Sequence, residues 1–428
     1  MARWERLVWP ASDFSRVPTG IFIEPEVFER EQERIFQGPV WLFLGLEAEI
    51  PEPGDYFTTF GGVTPLVVNR AEDGRIHVFV NRCSHRGALV VRDLRGRQSR
   101  HICAYHRWCY DLRGSLVGTP FRRGVEGKGG LPPGFDRREH GLRPLRVASY
   151  RGAIFASFDP HPEPLPDYLG PPMRRMLDRL FCKPIEILGH LRHRVDGNWK
   201  AYFENLNDSI HAGLLHRLPV MLGLWSNTQE GAIETDPLGR HAHYYVKYEE
   251  DDSALMGPGK SPSGQALRLA DHAFIDARDE WGDRVSTDTL SLFPNVMFAQ
   301  VSNFLITEQI RPKSAEEFEL LTTVFGYADD DPDLRLMRQR QVAWLGPAGY
   351  VGIEDNEAGN LIQRASRGQS YAHSYIGYGG VGPIGDTDHL VSEVSVRGFW
   401  RYYCYLMGYQ PQDGPPLDPA TWAAEAVS

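Results

Sequence analysis

Two stretches decide how this chain folds: Cys83-Ser84-His85-Arg86-Gly87 and Cys103-Ala104-Tyr105-His106-Arg107-Trp108. Each supplies one cysteine and one histidine, and each stands where a strand-like run gives way to a loop. Two such loops that face each other can bring four ligands to one metal centre, either a tetrahedral zinc or an iron–sulfur cluster. The order and the two short spacings favour the cluster, in which two cysteines hold one iron and two histidines hold the other.

The sequence around these loops has the pattern of an all-β domain. Short apolar runs at residues 56–60, 66–68 and 76–80 are separated by turn residues, and Asp73-Gly74 is a hairpin signal between the last two. The pattern continues through residues 101–105 and 152–158. It stops at the proline-rich stretch from Pro160 to Pro172, which we interpret as a linker between domains.

Beyond the linker, the pattern predicts an α+β domain. Residues 198–215 carry apolar side chains at helical spacing, and residues 332–345 are helical in composition, with Gly346-Pro347 ending the helix. Strand-like runs lie at residues 242–248, 289–298 and 318–327.

Length and composition limit the kind of protein this is. A chain of 428 residues suggests two or three domains, and a net charge of -10 argues against nucleic acid as a partner. Arginines crowd the chain from Arg82 to Arg151, either as a solvated face or as a cationic docking surface for an acidic protein. Five thinly spread cysteines form no disulfide framework. With no signal peptide and no apolar run long enough for a bilayer, we expect a cytoplasmic protein without a membrane partner.

The segment after Asn198 holds a second group of possible ligands: Asp208, His211 and His216. Asp208 and His211 are three positions apart and share one face of a helix. His211 and His216 are five positions apart, which a regular helix would splay by roughly 140°. Both can bind one ion only if the helix is distorted between them, and Gly213 is a plausible place for the distortion.

Together these motifs resemble a known family. The two cysteine–histidine loops, with Asn198-Trp199-Lys200, Glu204-Asn205 and the Asp208-x-x-His211-x4-His216 run, look like the Rieske non-haem iron oxygenases, specifically the large subunits of aromatic ring-hydroxylating dioxygenases. One position departs from the pattern, because the family usually has glycine where this chain has Arg107. The resemblance implies a Rieske 2Fe-2S cluster and a mononuclear iron with these ligands: Cys83, His85, Cys103 and His106 for the cluster, and His211, His216 and Asp355 for the iron.

The carboxylate ligand depends on the resemblance alone. The family region matches Gly346 to Tyr350 followed by Glu354-Asp355, which points to Asp355, and Glu354 and Glu357 are close competitors that spacing does not separate. The resemblance also implies that Asp208 is a catalytic residue rather than a ligand. It would link the iron ligand of its own subunit to His106 of a neighbouring subunit by hydrogen bonds.

The resemblance further implies an architecture and an assembly. We expect residues 1–40 to form a helical segment that packs on the catalytic domain, residues 41–158 an all-β Rieske domain, and residues 159–428 a catalytic domain whose antiparallel sheet grips a long helix. Such an enzyme takes O2 as co-substrate and receives electrons from NADH through a reductase, with or without a ferredoxin. It would be a homotrimer, or an α3β3 complex with a small β subunit.

The substrate is expected to be a small aromatic compound, since the chain looks closest to terephthalate, salicylate, anthranilate and benzoate oxygenases. Arg397 and Glu308 are the candidate substrate-binding residues. Glu308 stands where carboxylate-binding members have arginine, so we expect a substrate other than terephthalate, with an amino or other donor group. The alternatives are a Rieske monooxygenase or demethylase, a simple Rieske electron carrier, and a zinc-stabilised binding module.

Overall fold

The computed structural model describes residues 7–222, 224–248, 274–345 and 349–425. Its strands are β1 (Val8–Trp9), β2 (Arg16–Pro18), β3 (Leu42–Leu46), β4 (Asp55–Gly61), β5 (Thr64–Arg70), β6 (Ile76–Val80), β7 (Arg95–Arg97), β8 (His101–Ile102), β9 (Cys109–Tyr110), β10 (Leu116–Gly118), β11 (Arg146–Tyr150), β12 (Ala153–Ser157), β13 (Ile185–Asp196), β14 (Gly231–Thr235), β15 (Ala242–Lys247), β16 (Val285–Leu292), β17 (Val296–Val301), β18 (Phe304–Ser314), β19 (Glu317–Tyr327), β20 (His373–Tyr375) and β21 (Gln410–Pro411). Its α-helices are α1 (Pro25–Glu31), α2 (Leu165–Leu180), α3 (Trp199–Leu206), α4 (His211–Leu214), α5 (Arg217–Met221), α6 (Pro332–Gln341), α7 (Tyr350–Ser366), α8 (Val394–Met407) and α9 (Pro419–Glu425). The predicted helix stop at residues 346–348 lies outside the described residues.

The chain divides into two compact units. Residues 36–165 form the first, here called the β unit, and the described residues before 36 and after 165 form the second, the α+β unit. The predicted domain limits were 40/41 and 158/159. In the described part of the chain, no helix is both long and apolar enough to cross a membrane.

The β unit consists of three small antiparallel sheets. Their strand orders are β6-β5-β4-β7, β11-β12-β3 and β10-β9-β8. Strands β5 and β6 form the hairpin that Asp73-Gly74 predicted, and Gly74 takes the positive φ of 78° that the turn requires. Tyr56, Val67 and Phe79 belong to one buried cluster with Cys83 and Cys103, so the core of this unit reaches the two ligand loops. The predicted all-β domain is confirmed.

The proline-rich stretch predicted as a linker contains the boundary between the two units, at 165/166, but it is helical from Leu165 onward, which the prediction missed. Helix α2 begins at Leu165 and is kinked at Gly170, whose φ is 72°. Pro171 and Pro172 follow the kink directly, at positions where a new helical turn needs no backbone N–H donor. Proline therefore starts a helical segment here.

The α+β unit is built on one antiparallel sheet of seven strands. Their order is β13-β19-β18-β17-β16-β15-β14, and α3 and α7 lie on it. The predicted runs 242–248 and 318–327 correspond to β15 and β19. Residues 289–298 were expected as one strand, but a turn at Phe293–Asn295 divides them between β16 and β17. Pro294 explains the error, because proline lacks the N–H that a central strand must donate.

The predicted helix over residues 198–215 is also two pieces, α3 and α4. Asn198 begins α3 by accepting a hydrogen bond from the amide of Lys200, and α3 ends at Leu206. The Oδ1 atom of Asp208 accepts from the amides of Ile210 (2.7 Å) and His211 (3.3 Å). A side chain that takes these amides competes with the helical hydrogen bonds, and a new helix starts at His211.

Candidate active site

The two cysteine–histidine loops share one backbone design. In the first, the amide of Cys83 donates to the carbonyl of Ala88 (2.8 Å) and the amide of Gly87 donates to the carbonyl of Cys83 (3.0 Å). In the second, Cys103 donates to Trp108 (2.9 Å) and Arg107 donates to Cys103 (3.0 Å). Both loops therefore curl back on their cysteine with the same spacing.

The one departure from the family motif, Arg107, lies within this shared backbone design. Gly87 has a φ of 76°, and Arg107, at the matching place in the second loop, has a φ of 58°. Only glycine adopts this left-handed conformation without strain, and a residue with a Cβ loses about 1 kcal/mol. The backbone of the second loop is kept despite the substitution, and the Arg107 side chain is exposed.

The four predicted cluster ligands divide into a sulfur pair and an imidazole pair. Cys83 and Cys103 are buried, their thiols are in contact, and the Cys83 Sγ atom lies 3.2 Å from the Tyr110 hydroxyl. The rings of His85 and His106 are 4.5 Å apart. His85 is exposed, and the partial desolvation of its ring, followed by the charges of His106 and Arg86, lowers its pKa and so favours the neutral imidazole that a metal needs.

This division fits a two-iron cluster better than a single zinc ion. One tetrahedral zinc needs ligand atoms about 2.0–2.3 Å from a common centre, so the ligand atoms must be mutual neighbours. Among the described residues, only His211, His216 and Asp355 offer three such atoms within 4.8 Å of one another. The separate sulfur and imidazole pairs suit the two irons of a Rieske cluster.

The second predicted metal site lies in the α+β unit, where three side chains converge. The Nε2 atoms of His211 and His216 lie 3.4 Å and 3.3 Å from the same oxygen, Oδ1 of Asp355. The two imidazole rings are 5.1 Å apart and meet at 77°. Two imidazoles and one carboxylate grouped on one side match the 2-His-1-carboxylate arrangement that holds non-haem Fe(II) with positions left open.

The distortion that brings both histidines together is not at Gly213, as we had expected. Gly213 lies inside α4, and the chain leaves helical geometry at His216, whose ψ is 77°. Gly213 is needed for another reason, because a Cβ there would fall 1.5 Å from Oδ1 of Asn227. Asn227 donates to the carbonyls of Ser209 and Ile210 and thereby fixes the segment that leads to His211.

Each histidine has its second ring nitrogen engaged. His211 Nδ1 lies 2.5 Å from the carbonyl oxygen of Asp208, and His216 Nδ1 lies 2.9 Å from Oε2 of Glu354. Both acceptors place the proton on Nδ1 and leave Nε2 free to bind a metal. The contact between Glu354 and His216 was not predicted from the sequence.

The three competing carboxylates on α7 thus take different places. Asp355 is buried beside both Nε2 atoms and accepts a hydrogen bond of 3.0 Å from the Asn205 amide. Glu354 accepts a hydrogen bond from Nδ1 of His216, and Glu357 is exposed. Burial favours a neutral Asp355, but the hydrogen bonds and charges of His211 and His216 outweigh it and lower the Asp355 pKa.

A cavity of about 120 Å³ opens beside these three ligands. Its floor comes from the sheet, where alternating residues point to the same face: Thr287, Thr289, Met297, Ala299 and Val301. Tyr202 and Leu206 from α3, with Trp225, Tyr244 and Trp344, form much of the remaining wall. Among the described residues that line it, none is lysine or arginine.

Neither predicted substrate-binding residue is among the described lining residues. Glu308 is buried behind Tyr202, whose hydroxyl donates to Glu308 Oε1. Arg397 is buried in α8, where its Nη1 donates to the carbonyl of Gly382 (2.8 Å). Direct contact of either residue with a substrate stays a prediction that the cavity lining does not support.

Comparison with known proteins places this geometry in a family. Residues 40–128 match the Rieske (2Fe-2S) domain, and residues 185–408 match the ring hydroxylating alpha subunit (catalytic domain). The chain belongs to the ring-hydroxylating oxygenase alpha subunits. The predicted family and the predicted α+β fold class are both confirmed.

Individual relatives support the same family assignment. The chain is 43% identical to the anthranilate 1,2-dioxygenase large subunit of Burkholderia cepacia, over 94% of this chain and 95% of that protein. It is 38% identical to the terephthalate 1,2-dioxygenase terminal oxygenase component subunit alpha 2 of Comamonas sp, over 94% and 98%. The crystal structure of naphthalene 1,2-dioxygenase from Rhodococcus sp. superposes with a TM-score of 0.78 at 26% identity, covering 92% of this chain and 95% of that one.

Membership defines the chemistry of this ring-hydroxylating alpha subunit. It is an oxidoreductase that incorporates O2, with a Rieske 2Fe-2S cluster and a mononuclear non-haem iron, and its electrons come from NADH through a reductase. The zinc module and the simple electron carrier are therefore excluded, and dioxygenation is favoured over a monooxygenase or demethylase reaction.

Proposed function

We propose that this alpha subunit hydroxylates a single aromatic ring that carries an amino and a carboxyl group, as in anthranilate. The size of the cavity carries the single-ring part of the proposal, since about 120 Å³ is no larger than the roughly 150 Å³ of an apolar cavity that accepts benzene. The relative at 43% identity is an anthranilate dioxygenase, which supports the same class. Because no described lining residue is cationic, a carboxyl group would be bound by neutral donors.

The residues around the cavity have different roles in the proposed reaction. When bound, the iron supplies dioxygen activation and the cluster supplies electrons. His211, His216 and Asp355 would hold the iron at one end of the cavity, with Asn205 and Glu354 fixing two of these ligands. Met297, Ala299 and Val301 hold the ring by apolar contact and keep water from the reacting carbons.

We further propose that electrons arrive from a neighbouring subunit through Asp208, in a homotrimer or an α3β3 complex. The Asp208 side chain keeps 27% of its surface exposed, and its Oδ2 lies 3.8 Å from His211 Nδ1. It can therefore contact His211 and accept a hydrogen bond from outside at the same time. His106 of another copy is the proposed donor. We place this assembly, with its reductase and any ferredoxin, in the cytoplasm, where NADH is available.

A substrate panel tests the function. Purified protein with an NADH-driven reductase is given 2-aminobenzoate, benzoate, salicylate and terephthalate, with oxygen consumption measured and products identified. We expect 2-aminobenzoate to be the best substrate and to incorporate both oxygen atoms of O2. Incorporation of a single atom would show a monooxygenase, and turnover of terephthalate at the rate of the best substrate would contradict the proposed class.

A further inference from the structure

Tyr202 stands between the cavity and a buried carboxyl group. It lies on α3, three positions before Asn205, and lines the cavity together with Asp355. Its hydroxyl donates to Oε1 of Glu308. Glu308 itself is 2% exposed and is not one of the described lining residues. Tyr202 is therefore the group through which Glu308 can act on a substrate.

The sheet register explains how Glu308 comes to this place. In β18 it is paired with Met297 of β17 and with Thr322 of β19, and directly paired residues share one face of a sheet. Met297 lines the cavity, so the Glu308 side chain is on the cavity side of the sheet. The Thr322 hydroxyl lies 2.7 Å from Oε2 of Glu308. Each carboxyl oxygen thus has one hydroxyl partner.

These contacts fix the direction of the Tyr202 hydroxyl. An ionised Glu308 accepts from both hydroxyls. A neutral Glu308 can carry its proton on Oε2 and donate it to Thr322, which leaves Oε1 as a carbonyl oxygen that still accepts from Tyr202. In both of these states the single proton of Tyr202 points at Glu308, whereas a proton on Oε1 would reverse the bond. The phenolic oxygen then has only lone pairs to offer the cavity.

We propose that Tyr202 selects substrates with an N–H donor on the ring, by accepting a hydrogen bond from that group, and that Glu308 is the positioning residue that keeps Tyr202 an acceptor. The inference rests on the proposed function and names the residue that recognises the amino group. It also gives Glu308 a role that needs no direct contact with the substrate.

Four variants test the proposal: Tyr202→Phe, Glu308→Leu, Glu308→Gln and, as a matched control, Tyr244→Phe, which removes the other described tyrosine hydroxyl of the cavity wall. For each we would measure kcat/KM and the dissociation constant for 2-aminobenzoate and for benzoate, after checking iron content. The informative quantity is the ratio between the two compounds, because general damage to the site lowers both values together.

We expect Tyr202→Phe to lower the preference for 2-aminobenzoate about tenfold, the upper range for one neutral hydrogen bond. Glu308→Leu frees the tyrosine proton to point at the substrate and should lower the preference similarly. Glu308→Gln keeps an oxygen for Tyr202 and an amide donor for Thr322, so it should retain the wild-type ratio. Tyr244→Phe should change the ratio less than Tyr202→Phe does.

Several outcomes would overturn the proposal. An unchanged ratio in Tyr202→Phe removes the acceptor role, and equal behaviour of Glu308→Gln and Glu308→Leu removes the positioning role. If Glu308→Leu does not fold, the ratios measured for Tyr202→Phe and Glu308→Gln still test the proposal. If the wild-type enzyme oxygenates neither compound, the proposed function is wrong. The ratio of the dissociation constants for 2-aminobenzoate and benzoate then still tests the role of Tyr202 in binding.

Discussion

Glu354 offers the sharpest test of the proposed iron site, because it contacts the proposed ligand His216 at the ring nitrogen that faces away from Asp355. Glu354→Ala removes the acceptor of His216 Nδ1, now at 2.9 Å. Loss of such a partner typically weakens metal binding 10–100-fold. The Glu354 side chain is 33% exposed, so water can replace part of the contact, and we expect the lower end of that range. This is about 1.4 kcal/mol, a tenfold rise in the dissociation constant for Fe(II).

The assay is iron retained during dialysis against increasing concentrations of a chelator. Cluster absorbance serves as an internal reference, since the cluster belongs to the β unit. Glu357→Ala is the matched control, because Glu357 is an exposed carboxylate on the same helix, three positions further on. If Glu354→Ala and Glu357→Ala lose iron at the same chelator concentration, the argument that Glu354 orients His216 is wrong.

Three further predictions concern stability. Lys200→Met leaves the buried Glu31 carboxylate without the ammonium that is now 2.7 Å away. We expect the free energy of unfolding, measured in urea, to fall by about 3–5 kcal/mol. Adding Glu31→Gln should restore most of this, and an additive double variant would contradict the pairing. Burial lowers the pKa of the buried His243, but the Asp288 and Glu234 carboxylates outweigh this effect and raise the pKa to about 9. The contribution of His243 to stability, about 3 kcal/mol, is therefore complete below pH 6.5 and is lost as pH rises through 9. Urea midpoints measured across this range should fall, and His243→Gln should flatten the profile; parallel profiles would refute the assignment. Gly213→Ala forces Asn227 to move and should cost about 1–3 kcal/mol with loss of iron, whereas wild-type stability and iron content would show that the segment can adjust.

The β unit was predictable because its signals are local. Strand alternation, the turn at Asp73-Gly74 and the four cluster ligands all lie within short stretches of sequence, and no distant contact changes them. The helix at the end of the predicted linker was missed because proline signals a break equally well when it starts a helix. The deciding residue there was Gly170, whose positive φ ends one helical segment just before two prolines begin another.

The iron site was only partly predictable. Apolar spacing indicated one helix over residues 198–215, but the Asp208 side chain takes two amides that such a helix would use. Adjacent positions on a helix differ in the direction of their side chains, and sequence spacing does not show which direction faces the two histidines. The choice of Asp355 over Glu354 therefore needed the family resemblance. The place of Glu308 followed from the register between β17, β18 and β19, which no local pattern reveals.

The two proposed metal centres differ in how far apart their predicted ligands lie along the chain, and this separation has a thermodynamic consequence. The cluster ligands all come from one short segment, whereas His216 and its partner Glu354 are 138 positions apart. Local unfolding of either α7 or the segment around α4 would therefore separate the predicted iron ligands while much of the unit stays folded. Iron binds only the closed population and stabilises it by mass action. Iron occupancy in this protein is thus a measure of local opening, and it should fall before the seven-stranded sheet unfolds.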